Sequence, residues 1–171
     1  MESNNKMREL LVEKVTMNVG VGEPGERLEK IKKLLEQISG TTAVKTRTNK
    51  RIPEWGLRPD LEIGVKTTVR GEMALELLKR LLQANENSVR MSNFDKRGNL
   101  SFGIPEYIHI PGARYDYTVG IVGISVSVTL IRRGFSIARG RVKRTIGKRH
   151  LITKDEAANF IKEKYGVTVK G

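Results

Sequence analysis

Cysteine is absent from the 171-residue sequence, which excludes a disulfide frame and any thiolate metal site. Histidine occurs only as His109 and His150, too sparse for a histidine-rich metal site, so no metal or cofactor is expected. No stretch approaches the roughly 18 to 20 consecutive apolar residues of a membrane span. The start, MESNNKMREL, is polar where a secretion signal would carry an apolar run. These absences lead us to expect a soluble cytoplasmic protein. Acids are in short supply as well: 19 Asp and Glu stand against 32 Lys and Arg, a formal net charge of +13. Such an excess is a statement about partners rather than fold. A polyanion is expected, with nucleic acid first and an anionic membrane surface second.

The shortage of acids is also local. Between Tyr117 and Lys154 there is no Asp or Glu, while the stretch holds Arg132, Arg133, Arg139, Arg141, Lys143, Arg144, Lys148, Arg149 and Lys154. What is present in quantity is apolar material: 38% of the residues are hydrophobic, enough to bury a core. The length suits one domain spanning 1–171.

Three amphipathic helices are predicted from period and caps. The first runs from Glu26 to Ile38 with Leu28, Ile31, Leu34, Leu35 and Ile38 on one face, Pro24 before it and Gly40 after it. The second starts after Gly71 and aligns Ala74, Leu77, Leu78, Leu81 and Leu82. The third opens at Thr153-Lys-Asp-Glu156, a capping box, buries Ala157, Phe160 and Ile161, and stops at Gly166. Strands show a two-residue period instead. Val15, Met17 and Val19 alternate with Lys14, Thr16 and Asn18; Ile63, Val65, Thr67 and Val69 with Lys66, Thr68 and Arg70; Val122, Ile124, Val126, Val128 and Leu130 with Gly123, Ser125, Ser127 and Thr129. A short strand near Thr42 to Thr48 and a hairpin around Lys96-Arg97-Gly98-Asn99 are weaker signals. Alternation means one dry and one wet face per strand. The expected fold class is α+β: a mainly antiparallel sheet with helices packed on one face and the other face open. The wet positions are Lys, Thr, Asn, Arg and Ser with almost no acids. Such a face suits a phosphate–sugar surface, or it is a merely solvated face; the strands alone do not choose.

Gly20-Val-Gly22-Glu-Pro-Gly25 matches the dinucleotide-binding pattern G-x-G-x-x-G and lies between a strand and a helix. Three features oppose that chemistry. Glu23 and Glu26 stand where a pyrophosphate would sit. The preceding strand alternates, whereas a strand buried on both faces reads as continuously apolar. Lys45 and Arg47 stand where an acidic ribose ligand is expected, although Arg47 would suit a 2′-phosphate. A tight glycine turn is the competing reading, and the favoured one.

Lys45 to Asp60 reads KTRTNKRIPEWGLRPD, a loop punctuated by Pro53, Gly56 and Pro59. Its cations are expected to meet RNA. Its Trp55, the sole tryptophan, is expected to pin the loop to the body, the alternative being a stacking contact. The tract from Arg132 to Arg149 sits between a strong strand and a capped helix, so its charges need neutralising by something outside the fold, and phosphate fits. It lacks the Trp, Phe and Leu stripe of a membrane-surface helix. Ser101 and Ser125 have no histidine at a convincing spacing, Asp155 and Glu156 belong to a cap, and His109 and His150 read as backbone or phosphate partners. No enzymatic activity is expected.

Four stretches, in order, resemble a known family: MNVGVGEPGERLEK, RTNKRIPEWGLRPDLEIGVKTTVRG, FDKRGNLSFGIPEY and KRHLITKDEAANFIKEKYG. The chain resembles the ribosomal protein L5 family of the large subunit, in its archaeal and eukaryotic form. The resemblance implies binding to 5S rRNA and large-subunit rRNA at the central protuberance. It implies 5S contacts by Asn18, before the glycine turn, and by Thr68, before Arg70-Gly71, with Thr16, Lys66 and Arg70 on the same wet face. A family glutamine falls at Thr41, which keeps a hydroxyl but loses reach and an amide. The family's long loop approaches the P-site tRNA, which here means Asn49, Lys50, Arg51, Trp55 and Arg58. A contact with a small-subunit bridge protein is implied but not located. The Arg132–Arg149 tract (Arg132, Arg133, Arg139, Arg141, Lys143, Arg144, Lys148, Arg149) is similar to the family's archaeal extension and is expected to lie on rRNA.

Overall fold

A computed structural model describes residues 5–142 and 144–170. Lys143, expected in the RNA-binding tract, lies outside the described residues.

The two-residue periods become the strands of one five-stranded sheet. These are β1 (Leu10–Gly20), β2 (Val44–Arg47), β3 (Glu62–Arg70), β5 (Leu100–Ile104) and β6 (Ile124–Arg132), in the order β2-β3-β1-β6-β5. Every pairing in this sheet is antiparallel. The dry positions Val15, Met17, Val19, Val65, Thr67, Val69, Val126 and Val128 are all buried. Against them pack α1 (Glu26–Ser39) and α2 (Glu72–Ala84) with the leucine and isoleucine faces expected of them, and α3 (Lys154–Tyr165) with Ala157, Ala158 and Ile161. Phe160 is half-buried at the margin of this core rather than within it.

The helix ends follow the cap chemistry. The Thr153 hydroxyl accepts from the Glu156 N–H, and the Glu156 carboxylate accepts from the Thr153 N–H, closing the capping box. Gly40 ends α1 in a left-handed conformation at φ 67°, donating its N–H to the Glu36 carbonyl.

Two expectations change. The Lys96–Asn99 turn exists, with the Asp95 N–H donating to the Asn99 carbonyl at 2.8 Å. It closes only a single Phe94–Leu100 bridge rather than a full hairpin. The chain before it, β4 (Ser88–Arg90), instead pairs in parallel with β7 (Thr168–Lys170) in a separate two-stranded sheet. Neither three-residue strand is long enough to display a period.

The Lys45–Asp60 segment is an arm rather than an irregular loop. β2 and β3 pair at its base, and the Asp60 N–H donates to the Thr48 carbonyl at 2.9 Å. An Ile52–Leu57 bridge closes a tip that contains a 3-10 turn at Pro53–Trp55.

Candidate nucleic-acid interface

The strand register turns the wet positions into rows that cross the sheet on the face away from the helices. Ser101, Ser127, Thr16 and Thr68 stand side by side on β5, β6, β1 and β3. The Ser101 hydroxyl donates to Ser127 at 3.3 Å, and the Thr16 and Thr68 hydroxyls lie 3.5 Å apart. With neighbouring strands about 4.8 Å apart, this row of hydroxyls is roughly 14 Å wide. The next row places Gly103, Ser125, Asn18, Lys66 and Val44 across all five strands, and a third aligns Thr129, Lys14 and Arg70. None of the three rows contains an acid. Asn18, Lys66, Thr68 and Arg70 are exposed and Thr16 is half-buried, so no helix covers them. An isolated cation row would suffer repulsion between Lys14 and Arg70, which sit directly opposite each other.

Glu13 supplies the counter-charge. A register shift between Val12 and Lys14 places it in a bulge of β1. Its side chain is only 8% exposed and meets Arg70 at 3.9 Å and both guanidinium nitrogens of Arg139. The Arg139 hydrogen bonds first, then the nearby positive charges of Arg139, Lys14 and Arg70, hold its carboxyl below the usual glutamate range against the effect of burial. One acid therefore ties the basic tract to the sheet. The tract is further shaped by turns at Phe135–Ala138 and Lys148–His150 and by an Arg144 N–H bond to the Ile137 carbonyl at 3.3 Å. His150 Nε2 lies 2.9 Å from the Arg133 carbonyl, and its ring meets Phe135 edge-on. His150 is thus a backbone partner, as expected.

Arg133, Arg139, Arg141, Arg144, Lys148 and Arg149 are exposed, but Arg133 also pairs with Glu9 at 3.5 Å. Arg132 corrects the expectation. It is 4% exposed and bonded to Glu156 of α3 at 2.8 Å. It shares the dry side of β6 with Val128 and Leu130 and does not reach the outer surface. Thr41 is half-buried. Its hydroxyl donates to Ser39 at 3.2 Å and lies 3.1 Å from that of buried Thr67, so it serves the helix side of the sheet. Trp55 does not pin its arm: it is 72% exposed, and Asn49, Lys50, Arg51 and Arg58 are exposed as well. The bare aromatic and the cations share one tip.

Ser101, Ser127 and Lys14 join the open face without having been singled out as RNA contacts. The alternation of Ser125 and Ser127 signalled their side, but only the register brings Ser101 beside them. The glycine turn holds no dinucleotide cradle. Its Val21 and Gly22 N–H groups both donate to the Ile63 carbonyl, at 2.8 and 3.0 Å, and the strand leading into it belongs to an antiparallel sheet. The two amides a phosphate would use are already bonded within the fold. Among the described residues no group of His, Asp and Glu is placed to hold a metal ion, and no helix is long and apolar enough to cross a membrane.

Residues 5–58 match the family described as Ribosomal protein L5, and residues 62–162 match the C-terminus of the same ribosomal family. The chain belongs to the ribosomal protein L5 family. It is 46% identical over 169 residues to a protein of Sulfolobus acidocaldarius named large ribosomal subunit protein uL5, covering 98% of this chain and 95% of that one. Proteins of the same name from Sulfurisphaera tokodaii and Nanoarchaeum equitans are 47% and 46% identical, covering 96% and 95% of this chain and 94% and 97% of theirs. The L5 family is structural and not enzymatic.

Proposed function

We propose that this protein is a structural constituent of the large ribosomal subunit in the cytoplasm. It binds 5S rRNA on the open sheet face and attaches it to the large rRNA at the central protuberance. The observation that carries this is the set of three acid-free rows across antiparallel strands, ending at a basic tract clasped to the same sheet by Glu13. Hydroxyls and the Asn18 amide can bond sugar hydroxyls and base edges, while Lys66, Arg70 and Lys14 neutralise phosphate. The arm tip, with Trp55 and four exposed neighbours from Asn49 to Arg58, is the part that approaches the P-site tRNA. Neighbouring ribosomal proteins, including a small-subunit bridge protein, complete the set of partners.

The test is binding to 5S rRNA against a control RNA of equal length over a range of salt. The expected result is tighter binding to 5S rRNA, with each neutralised phosphate adding roughly 0.7 to 0.9 to the negative logarithmic salt slope. Asn18→Ala with Thr68→Ala should weaken 5S binding by about tenfold while leaving unfolding unchanged, since both side chains are exposed. Equal affinity for both RNAs at every salt concentration would reject specific recognition and leave a general nucleic-acid coat.

A further inference from the structure

The basic tract does more than line the sheet's edge: with the end of β6 it lines an open cavity of about 450 Å³. Its most buried lining is the apolar floor of Leu130 and Ile152, with Ile131, Phe135 and Ile146 half-buried beside it, and the exposed Arg97, Arg139 and Arg144 complete the rim. No acid lines it. Thr129, one of the wet positions of β6, borders the cavity, and Arg139 is the residue that Glu13 holds against the open face. The cavity therefore borders the proposed RNA surface. Its aromatic wall is held in place: the Phe135 ring lies edge-on to His150 at 5.6 Å between centroids, and His150 is bonded to the Arg133 backbone.

We propose that this cavity receives one unstacked nucleotide of the bound rRNA, with the base against Phe135 and the apolar floor and its phosphate at Arg97 and Arg144. Charge complementarity selects the occupant. An apolar floor ringed by three guanidinium groups suits a flat heterocycle carrying a phosphate, and the volume lies within the roughly 300 to 1,000 Å³ of small-ligand sites. Splayed bases stacked on aromatic side chains or guanidinium planes are a usual way for protein to read single-stranded RNA. Among the described residues neither Arg97 nor Arg144 has an acidic partner, while Arg139 is held by Glu13. The two unpaired rim cations are the ones available to phosphate.

The proposal rests on the protein being an rRNA binder, and the test separates the two. The full chain, bound in turn to 5S rRNA and to large-subunit rRNA, is crosslinked with short-wave ultraviolet light and digested. A peptide containing Phe135 and carrying one nucleotide is expected with one of them. Filling the cavity with Ala138→Trp, or with Ile146→Trp should the first variant unfold, should abolish that crosslink. It should weaken binding to the same RNA by roughly tenfold, as for the loss of one stacked base, without changing the salt slope. Arg97→Gln and Arg144→Gln should each lower the slope by about one contact. Wild-type binding without a Phe135 crosslink, or a folded filled variant of wild-type affinity, overturns the cavity proposal alone. Absence of rRNA binding by the wild-type chain overturns both.

Discussion

The Arg132–Glu156 pair allows a sharp test of what a buried charge does when its partner is removed. The Arg132 guanidinium is buried, its Nη2 is bonded to Glu156 at 2.8 Å, and its Nε and Nη1 have no partner among the described residues. Glu156 keeps 42% of its side chain exposed and also completes the capping box of α3. Removing only its charge with Glu156→Gln preserves a capping acceptor but leaves the arginine charged and sealed. Orphaning a buried ion costs about 3 to 5 kcal/mol. Water reaching the half-exposed Glu156 side reduces this to about 2 kcal/mol here. Arg132→Met removes the cation together with its two unpartnered nitrogens and leaves an apolar chain of similar length, at about 1 kcal/mol or less. In RNA-free protein, urea unfolding should therefore rank Glu156→Gln as the more damaging change. Its midpoint temperature should fall by about 4 to 8 °C for about 2 kcal/mol in a chain of this size. The double variant should resemble Arg132→Met, because with the arginine gone the carboxylate has no buried partner to satisfy. If Arg132→Met proves costlier than Glu156→Gln, or the double variant shows the sum of both losses, the account of the pair is wrong.

Glu13 predicts an acid response. Its Arg139 bonds hold the folded carboxyl below the usual glutamate range, so the stabilising contribution is complete above the unfolded value and is lost as pH falls through the folded one. Protection of Phe135–Ala138 against hydrogen exchange, taken relative to the intrinsic rate at each pH, should fall over that acidic window, and Glu13→Gln should show the low protection already at neutral pH; identical protection in both proteins would refute the clasp. At Gly98 a Cβ would lie 2.5 Å from Ile152 Cγ2, and φ is +76°. Gly98→Ala should lose about 1 to 3 kcal/mol through overpacking and backbone strain, read by calorimetry; an unchanged transition would count against the packing of this turn on α3. Trp55→Ala should leave stability within about 0.5 kcal/mol, since the ring is 72% exposed. Wild-type tryptophan emission should be that of an aqueous indole, and a blue-shifted spectrum would contradict the bare tip.

The sheet, its dry side and the three helices were legible because each rests on a local repeat: two residues for strands, three to four for helices, with caps at known offsets. Register is not local. That Ser101 stands beside Ser127, and Thr16 beside both Ser127 and Thr68, depends on where strands distant in sequence align. The bulge at Glu13 belongs to the same class. One residue inserted in a strand looks like an interruption of the alternation, yet it turns the acid toward Arg70 and Arg139. The Trp55 expectation failed for a different reason. A large apolar ring is usually worth burying, and nothing in Pro53-Glu-Trp55-Gly56 reveals that an Ile52–Leu57 bridge closes the tip without it.

Arg132 failed for a reason the sequence did contain. Residue type placed it with Arg133 in a basic run, whereas its position continues the dry series Val126, Val128, Leu130 by two residues. On that side of a sheet a cation needs an acid from the packed layer, and Glu156 of α3 provides it. The same rule sorts the other sheet cations. Lys45, opposite buried Val65, takes Glu29 of α1 at 2.6 Å and Glu62 at 2.9 Å. Lys66, one position further along β3, stands on the open side with no acidic partner among the described residues. Composition counts all of these as equal contributors to a charge of +13, yet the pleat divides them between two roles. Arg132 and Lys45, facing the helices, neutralise acids within the fold, whereas on the outward face Arg70 meets Glu13 at 3.9 Å and Lys66 has no acidic partner among the described residues. Strand parity, more than the length of a basic run, therefore separates the acid-paired Arg132 and Lys45 from Lys66 on the open face.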